Sequence, residues 1–305
     1  MGEAKRKRDQ NANEPCPCGS LKEAGGCCYN GRVWYKRPAV LGLRALSPKS
    51  TVDKCYMKEL RSCDGGISGE HLISESVLHI LKADGDFSIA GVPWLPEGEA
   101  KIVGPKSLTA KCLCSRHNSA LSPLDSAAKF FFSALKLCLE LDVESQRYLV
   151  SGYDLERWLL KTIKALAVSG NLARGQKPLP GLFASDIQIL DMLDNHQEWP
   201  AGAGLYSVML PGQITYNHNR FQIAPYMNAR DELNGLGVNI MGLDFVLMLE
   251  PPDLALIPHL QGAHFRPTQI LIEAGSSVNW IAISWEEGSR RKDTMSLKFL
   301  RTIKV

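Results

Sequence analysis

The rhythm of apolar positions changes twice along this chain. In the middle the period is helical. Residues 76–81 (Ser-Val-Leu-His-Ile-Leu) read as a short amphipathic helix. Residues 122–141 predict a second helix, opening at Ser122-Pro123 with Asp125 in its first turn and Phe130, Phe131, Phe132, Leu135, Leu137 and Leu139 in its body. Leu155, Trp158, Leu159, Ile163 and Leu166 predict a third over 153–169, with Lys161 and Lys164 on its solvated face. Residues 186–195 predict a fourth, capped by Ser185. From about residue 200 the period shortens. The stretches 205–210, 213–216, 220–224, 239–250, 269–273 and 279–284 have strand length and are separated by glycine and proline turns, which predicts a mostly antiparallel β region. Shorter strand-like stretches stand at 87–90 and 101–103, between Pro93, Pro96 and Pro105, and residues 32–35 add strand character to a linker.

Before residue 75 neither period holds, and cysteine takes over. Eight of nine cysteines lie within the first 114 residues, at 16, 18, 27, 28, 55, 63, 112 and 114; the ninth is Cys138, read as a buried helix residue. Pairs as close as Cys16-x-Cys18 and Cys27-Cys28 suit a metal better than a disulfide, and imply a reducing, cytoplasmic setting. Pro15 and Pro17 stiffen the first ligand turn, and Gly19, Gly25 and Gly26 permit tight returns. A second set forms around Cys114-Ser-Arg-His117, whose two soft ligands stand at C-x-x-H spacing. Cys55 and Cys63 can supply the other ligands of a tetrahedral Zn²⁺, with Cys112 competing with Cys63 for the fourth position.

Net charge is +3 but uneven: the first sixty residues hold twelve Lys/Arg against six Asp/Glu, leaving the remainder near −3. A basic segment leading into a zinc site is compatible with phosphate contact. No run of eighteen apolar residues exists, so no membrane span is expected. His218, His259 and His264 are scattered and read as surface or satisfied core histidines.

The spacing C-x-C-x8-C-C over residues 14–31 resembles the SEC-C motif, the zinc knuckle at the tail of the Sec translocase ATPase, which implies a docking module for a protein partner. The order Cys55…Cys63…Glu70-His71-Leu72-Ile73…Leu113-Cys114-x-x-His117-Asn118 resembles the HNH, or ββα-metal, endonucleases over roughly 55–135. It departs from them in the seven residues between Cys55 and Cys63 and in having His117 where the family more often has cysteine. The resemblance implies His71 as general base, Glu70 and Asn118 at a catalytic Mg²⁺ or Mn²⁺, Asp125 in that ion's neighbourhood, and the zinc set as a structural pin. The expected architecture is α+β: residues 1–50 with the knuckle, a ββα-metal domain at 51–140, a helical segment at 141–199 and a β-rich domain at 200–305. Two functions follow: hydrolysis of nucleic-acid phosphodiesters, DNA or RNA, or a zinc-binding adaptor that has lost catalysis.

Overall fold

The computed structural model describes residues 10–45, 50–82, 87–139, 144–174, 177–179, 187–208, 220–287, 289 and 292–299. Helices and strands are mixed, with a cysteine-rich knuckle at the N-terminal end and a β-rich C-terminal region. In chain order the strands are β1 (Ile67–His71), β2 (Ser88–Ala90), β3 (Ala100–Ile102), β4 (Thr109–Cys114), β5 (Arg147–Ser151), β6 (Ala173–Arg174) and β7 (Lys177–Pro178). They continue with β8 (Gly204–Val208), β9 (Arg220–Met227), β10 (Leu233–Ile240), β11 (Leu243–Met248), β12 (His264–Phe265), β13 (Gln269–Ala274), β14 (Ser277–Ser284) and β15 (Thr294–Phe299). The helices that matter here are α1 (Glu75–Lys82), α2 (Ser115–Leu139), α3 (Gly152–Val168) and α4 (Ile187–Asp194).

β1 and β4 pair antiparallel, Ile67 opposite Cys114 and His71 opposite Thr109, with a register shift between Ser68 and Glu70. α2 leaves directly from the end of β4, so β1, β4 and α2 make a ββα unit. The helix expected from residue 122 starts seven residues earlier, and Pro123 lies inside it. An internal proline forfeits one backbone hydrogen bond and costs about 3 kcal/mol or more. Here Leu121 and Leu124, both fully buried, anchor the turns on either side of it.

The β-rich region is two sheets. One has the order β12-β8-β11-β10-β9-β2-β3, the other β15-β13-β14-β5. The run 239–250, read as one strand, is instead a hairpin whose two loop residues, Met241 and Gly242, both take positive φ. The stretch 213–216, His218 and the cap at Ser185 lie outside the described residues. Both sheets recruit earlier chain: β2 runs parallel to β9, and β5 runs parallel to β14. Gly91, directly after β2, makes the first join possible. Its φ is +77°, and a Cβ there would sit 1.8 Å from the Ile223 carbonyl oxygen. One apolar core accordingly runs without a break from Leu41 to Leu297, across residues 140 and 200.

α3 is the axis of that core. Every residue from Gly152 to Leu166 is buried, so the solvated face expected for Lys161 and Lys164 does not exist. Charges can be buried all round a helix only if they are paired. Arg157 meets Asp154 at 2.6 Å, Arg266 meets Glu156 at 2.8 Å, and Lys161 reaches two carboxylates described below. No described helix is long and apolar enough to cross a membrane.

Candidate metal centres and the ββα surface

The knuckle is closed by main-chain hydrogen bonds before any ligand is considered. The Ala24 carbonyl accepts from the amides of Cys27, Cys28 and Tyr29 at 2.9–3.0 Å, which turns both late thiols back toward Cys16 and Cys18. Gly19, at φ +74°, lies against the Phe130 ring, where a Cβ would come within 2.5 Å. The Leu149 amide of β5 donates to the Pro17 carbonyl at 3.0 Å, and Leu149 packs into the knuckle's small core. The knuckle is thus seated on α2 and β5. Its sulfur atoms lie within 4.8 Å of one another, with Cys18–Cys27 at 3.5 Å and Cys27–Cys28 at 3.6 Å. A tetrahedron with Zn–S of about 2.3 Å has edges of about 3.8 Å, so the cage fits zinc.

Burial pushes the Cys16 thiol up to about 11. Burial also opposes ionisation of Cys18, but hydrogen bonds from Ser20 and Cys16 outweigh it and bring that thiol down to about 6. Lys36 is disfavoured by burial and held charged by the Cys18 and Cys28 sulfurs, so its pKa rises. An ammonium here offsets the negative charge of a four-thiolate cage.

The second centre is assembled from distant chain. Cys55 precedes a single 3-10 turn (Lys58–Leu60), Cys63 is held by the hydrogen bond its N–H donates to the Ser50 carbonyl, Cys114 ends β4, and His117 is in the first turn of α2. All four are buried. His117 Nδ1 stands 3.4, 3.8 and 3.3 Å from the sulfurs of Cys55, Cys63 and Cys114. Zn–N of about 2.0 Å with Zn–S of about 2.3 Å gives tetrahedral S–N edges of about 3.5 Å, which is the spacing found. On the far side of the ring, Nε2 lies 3.2 Å from the Leu43 carbonyl and 3.0 Å from Ser62 Oγ, whose own hydroxyl donates to that carbonyl. Donation from Nε2–H leaves the Nδ1 lone pair facing the three sulfurs. Burial and the nearby Arg116 lower the His117 pKa, which keeps the imidazole neutral, the form that binds metal. Cys63 belongs to this cluster and Cys112 does not. Cys112 faces the core, where burial and the carboxylate of Glu70 push its thiol up to about 12. Cys138 is fully buried in α2, as its sequence position implied.

The residues singled out for catalysis are arranged differently. Glu70 points inward and is 2% exposed, and Lys161 Nζ lies 2.7 Å from its Oε1. The same ammonium meets both Asp125 oxygens at 2.6 Å. Ser74 Oγ donates to Asp125, and Trp158 Nε1 donates to Ser74 at 2.6 Å. Burial raises the pKa of Glu70 despite Lys161 beside it. Asn118 spends its amide on β1: Nδ2 donates to Ser68 Oγ at 3.1 Å and to the Gly69 carbonyl at 3.4 Å, at the register shift. His71 points outward, with its side chain 26% exposed and Nε2 4.0 Å from Glu75, which in turn lies 3.8 Å from His79. Mg²⁺ or Mn²⁺ needs several free oxygen ligands. Glu70 and Asp125 already share an ammonium, so these residues do not fit a catalytic divalent ion. Among the described residues, only the two cysteine-rich sets gather into a metal-sized cluster.

Sequence reading missed Lys161 and Ser74. The available signal was a lysine three residues beyond Trp158 on an apolar helical stripe, where only a paired charge is tolerated. No family model, curated protein or solved structure matches the chain.

Proposed function

We propose that this chain is a zinc-scaffolded nucleic-acid-binding protein, and that its ββα unit offers phosphates the surface along α1. The carrying observation is the charge around that helix. Two open hollows, of about 640 and 490 Å³, flank it. Lys82 and Lys106 line one, Lys129 and Lys136 the other; His79 borders both, and Glu75 is the one acid among the described lining residues. Lys129 and Lys136 stand on α2, the helix whose first turn carries His117 of the second centre. Such cations favour phosphate binding through counterion release. The knuckle's exposed Leu21, at φ +59°, offers an apolar tip to a protein partner. Fluorescence anisotropy with labelled duplex DNA, single-stranded DNA and RNA tests the binding. Affinity should fall steeply with salt, and Lys82→Glu with Lys129→Glu should reduce the slope of log K against log salt by about 0.9 per lost duplex phosphate contact. Salt-independent binding, or binding indifferent to both substitutions, would refute it.

A second reading is phosphodiester hydrolysis of the HNH kind. It is favoured by the outward His71 at the end of β1, next to Glu75 and His79 at the same surface. His71 would take the proton of the attacking water, a role worth about 10²–10⁴-fold. Plasmid nicking with and without Mn²⁺ separates the readings. Cleavage abolished by His71→Ala supports hydrolysis, and its absence in the wild type under every divalent ion leaves binding alone.

A further inference from the structure

We propose that the outward face of the β9–β10–β11 sheet holds a seat for one arginine side chain, presented by a partner peptide against Tyr226, Asn239 and Asp244. This goes beyond nucleic-acid binding and does not depend on it.

The seat begins as a gap in the sheet's own cover. The chain after β11 folds back over the outer face and packs Ile257 and Leu260 on Val246 and Met248. Beside that small core the face stays open, in a hollow of about 200 Å³ over β9, β10 and β11. Gly237 makes the room. It stands on the central strand β10 between Ala224 and Val246, and a Cβ there would come within 2.9 Å of the Tyr226 ring. Pockets that bury whole small molecules measure about 300–1,000 Å³. This one is smaller, and matches a single side chain.

Its chemistry selects which. Across one end runs a row of three polar side chains, Gln222, Asn239 and Asp244, in direct register on neighbouring strands. Asn239 Nδ2 donates to Asp244 Oδ1 at 2.7 Å, and among the described residues the second Asp244 oxygen and the Asn239 amide oxygen accept no hydrogen bond. The row is therefore rich in acceptors. Tyr226 and His259 add an aromatic wall, their ring centres 5.3 Å apart and the Tyr226 hydroxyl 2.8 Å from His259 Nε2. Burial and the charge of Asp244 raise the Tyr226 pKa, so the wall stays a neutral phenol.

Asp244 is the one carboxylate among the described lining residues, and none of them is Lys or Arg, so a phosphate is repelled here. A guanidinium fits. It carries five N–H donors and no acceptor, and its flat face stacks on an aromatic ring. An ammonium has the charge without the plane. The chain holds one of its own arginines by the same two means: Arg266 pairs with Glu156 at 2.8 Å, and its guanidinium carbon lies 5.2 Å from the centre of the Tyr153 ring.

The test is an amide NMR titration of the zinc-loaded full chain with a Gly-Ser-Arg-Ser-Gly peptide, and with matched peptides carrying lysine or citrulline in place of arginine. The arginine peptide should shift the Gly237 and Asn239 signals with Kd on the order of 10⁻³ M, as a single anchoring side chain allows. Citrulline keeps the plane and loses the charge, lysine the reverse; each should bind at least about tenfold more weakly. Asp244→Asn, at an exposed position, should weaken the arginine peptide by a similar factor. Equal affinity for the three peptides, shifts confined to another surface, no shift at millimolar peptide, or binding indifferent to Asp244→Asn overturns the seat. Guanosine, whose base presents paired N–H donors of the same kind, should leave these signals in place; a preference for it would also overturn the proposal and make the hollow a base pocket.

Discussion

The two candidate metal-ligand sets contain similar atoms and differ in how the chain reaches them. The knuckle draws its four sulfurs from thirteen consecutive residues and closes itself through one carbonyl, Ala24. The second centre spans from Cys55 to His117, and its three cysteines are part of the main core. The first is a local object laid on the surface of α2 and β5. The second is a junction at which a loop, a strand and a helix meet, and little of the ββα unit can be placed without it. Metal affinity in a local cage stabilises the cage, whereas at a junction it stabilises the fold.

That contrast breaks most sharply at Cys114. We expect Cys114→Ala to lose one zinc equivalent and cooperative unfolding together, because a structural zinc site is worth roughly 10–16 kcal/mol and a whole domain only about 5–15. Elemental analysis with circular dichroism checks this; a variant with one zinc and a native melting curve would refute the junction. Replacing Cys16 and Cys18 together by serine should also remove one equivalent, but with the second centre intact. The loss should appear as faster hydrogen exchange at the Leu149 amide, whose acceptor is Pro17, rather than as global unfolding. Smaller again is Ser62→Ala. Its hydroxyl stands behind the metal-facing histidine, so zinc affinity at the second centre should fall about 10- to 100-fold with unchanged stoichiometry in excess zinc, measured by chelator competition.

The least effect is a pH limb. Lys161 has a raised pKa in the fold, so its contribution is present below the unfolded value of about 10.4 and is lost as pH climbs through the higher folded one. Denaturant midpoints of wild type and Lys161→Met should therefore converge toward strongly alkaline pH. A constant difference across that range would contradict the pairing.

The two cysteine-rich clusters were legible in the sequence because candidate zinc ligands announce themselves by residue type and spacing. The structure chose Cys63 over Cys112, which spacing left open. Strand positions were legible for the same local reason, as at 88–90 and 269–274. What escaped was set by distant partners. Lys161 and Lys164 look solvated until β1 and α2 close over α3, and at the helix start the amides of Ser115 and Arg116 find their acceptors in the distant Gly66 and Asp64 carbonyls. The joining of β2 to β9 depends on Gly91 lacking a side chain, which no periodicity reports.

One contact described above has a bearing on solubility. Among the described strands β5 is the last of its sheet, and the outward amide of Leu149 is taken by Pro17 of the knuckle. An uncovered strand edge is a template on which another chain can pair. With zinc in its cage, the knuckle would guard that edge at the Leu149 amide it covers. A cell short of zinc, or an oxidant that takes the knuckle's thiols, would leave the enclosed core standing and expose a sticky border. The expected symptom is self-association, visible as added mass in light scattering, before any loss of secondary structure.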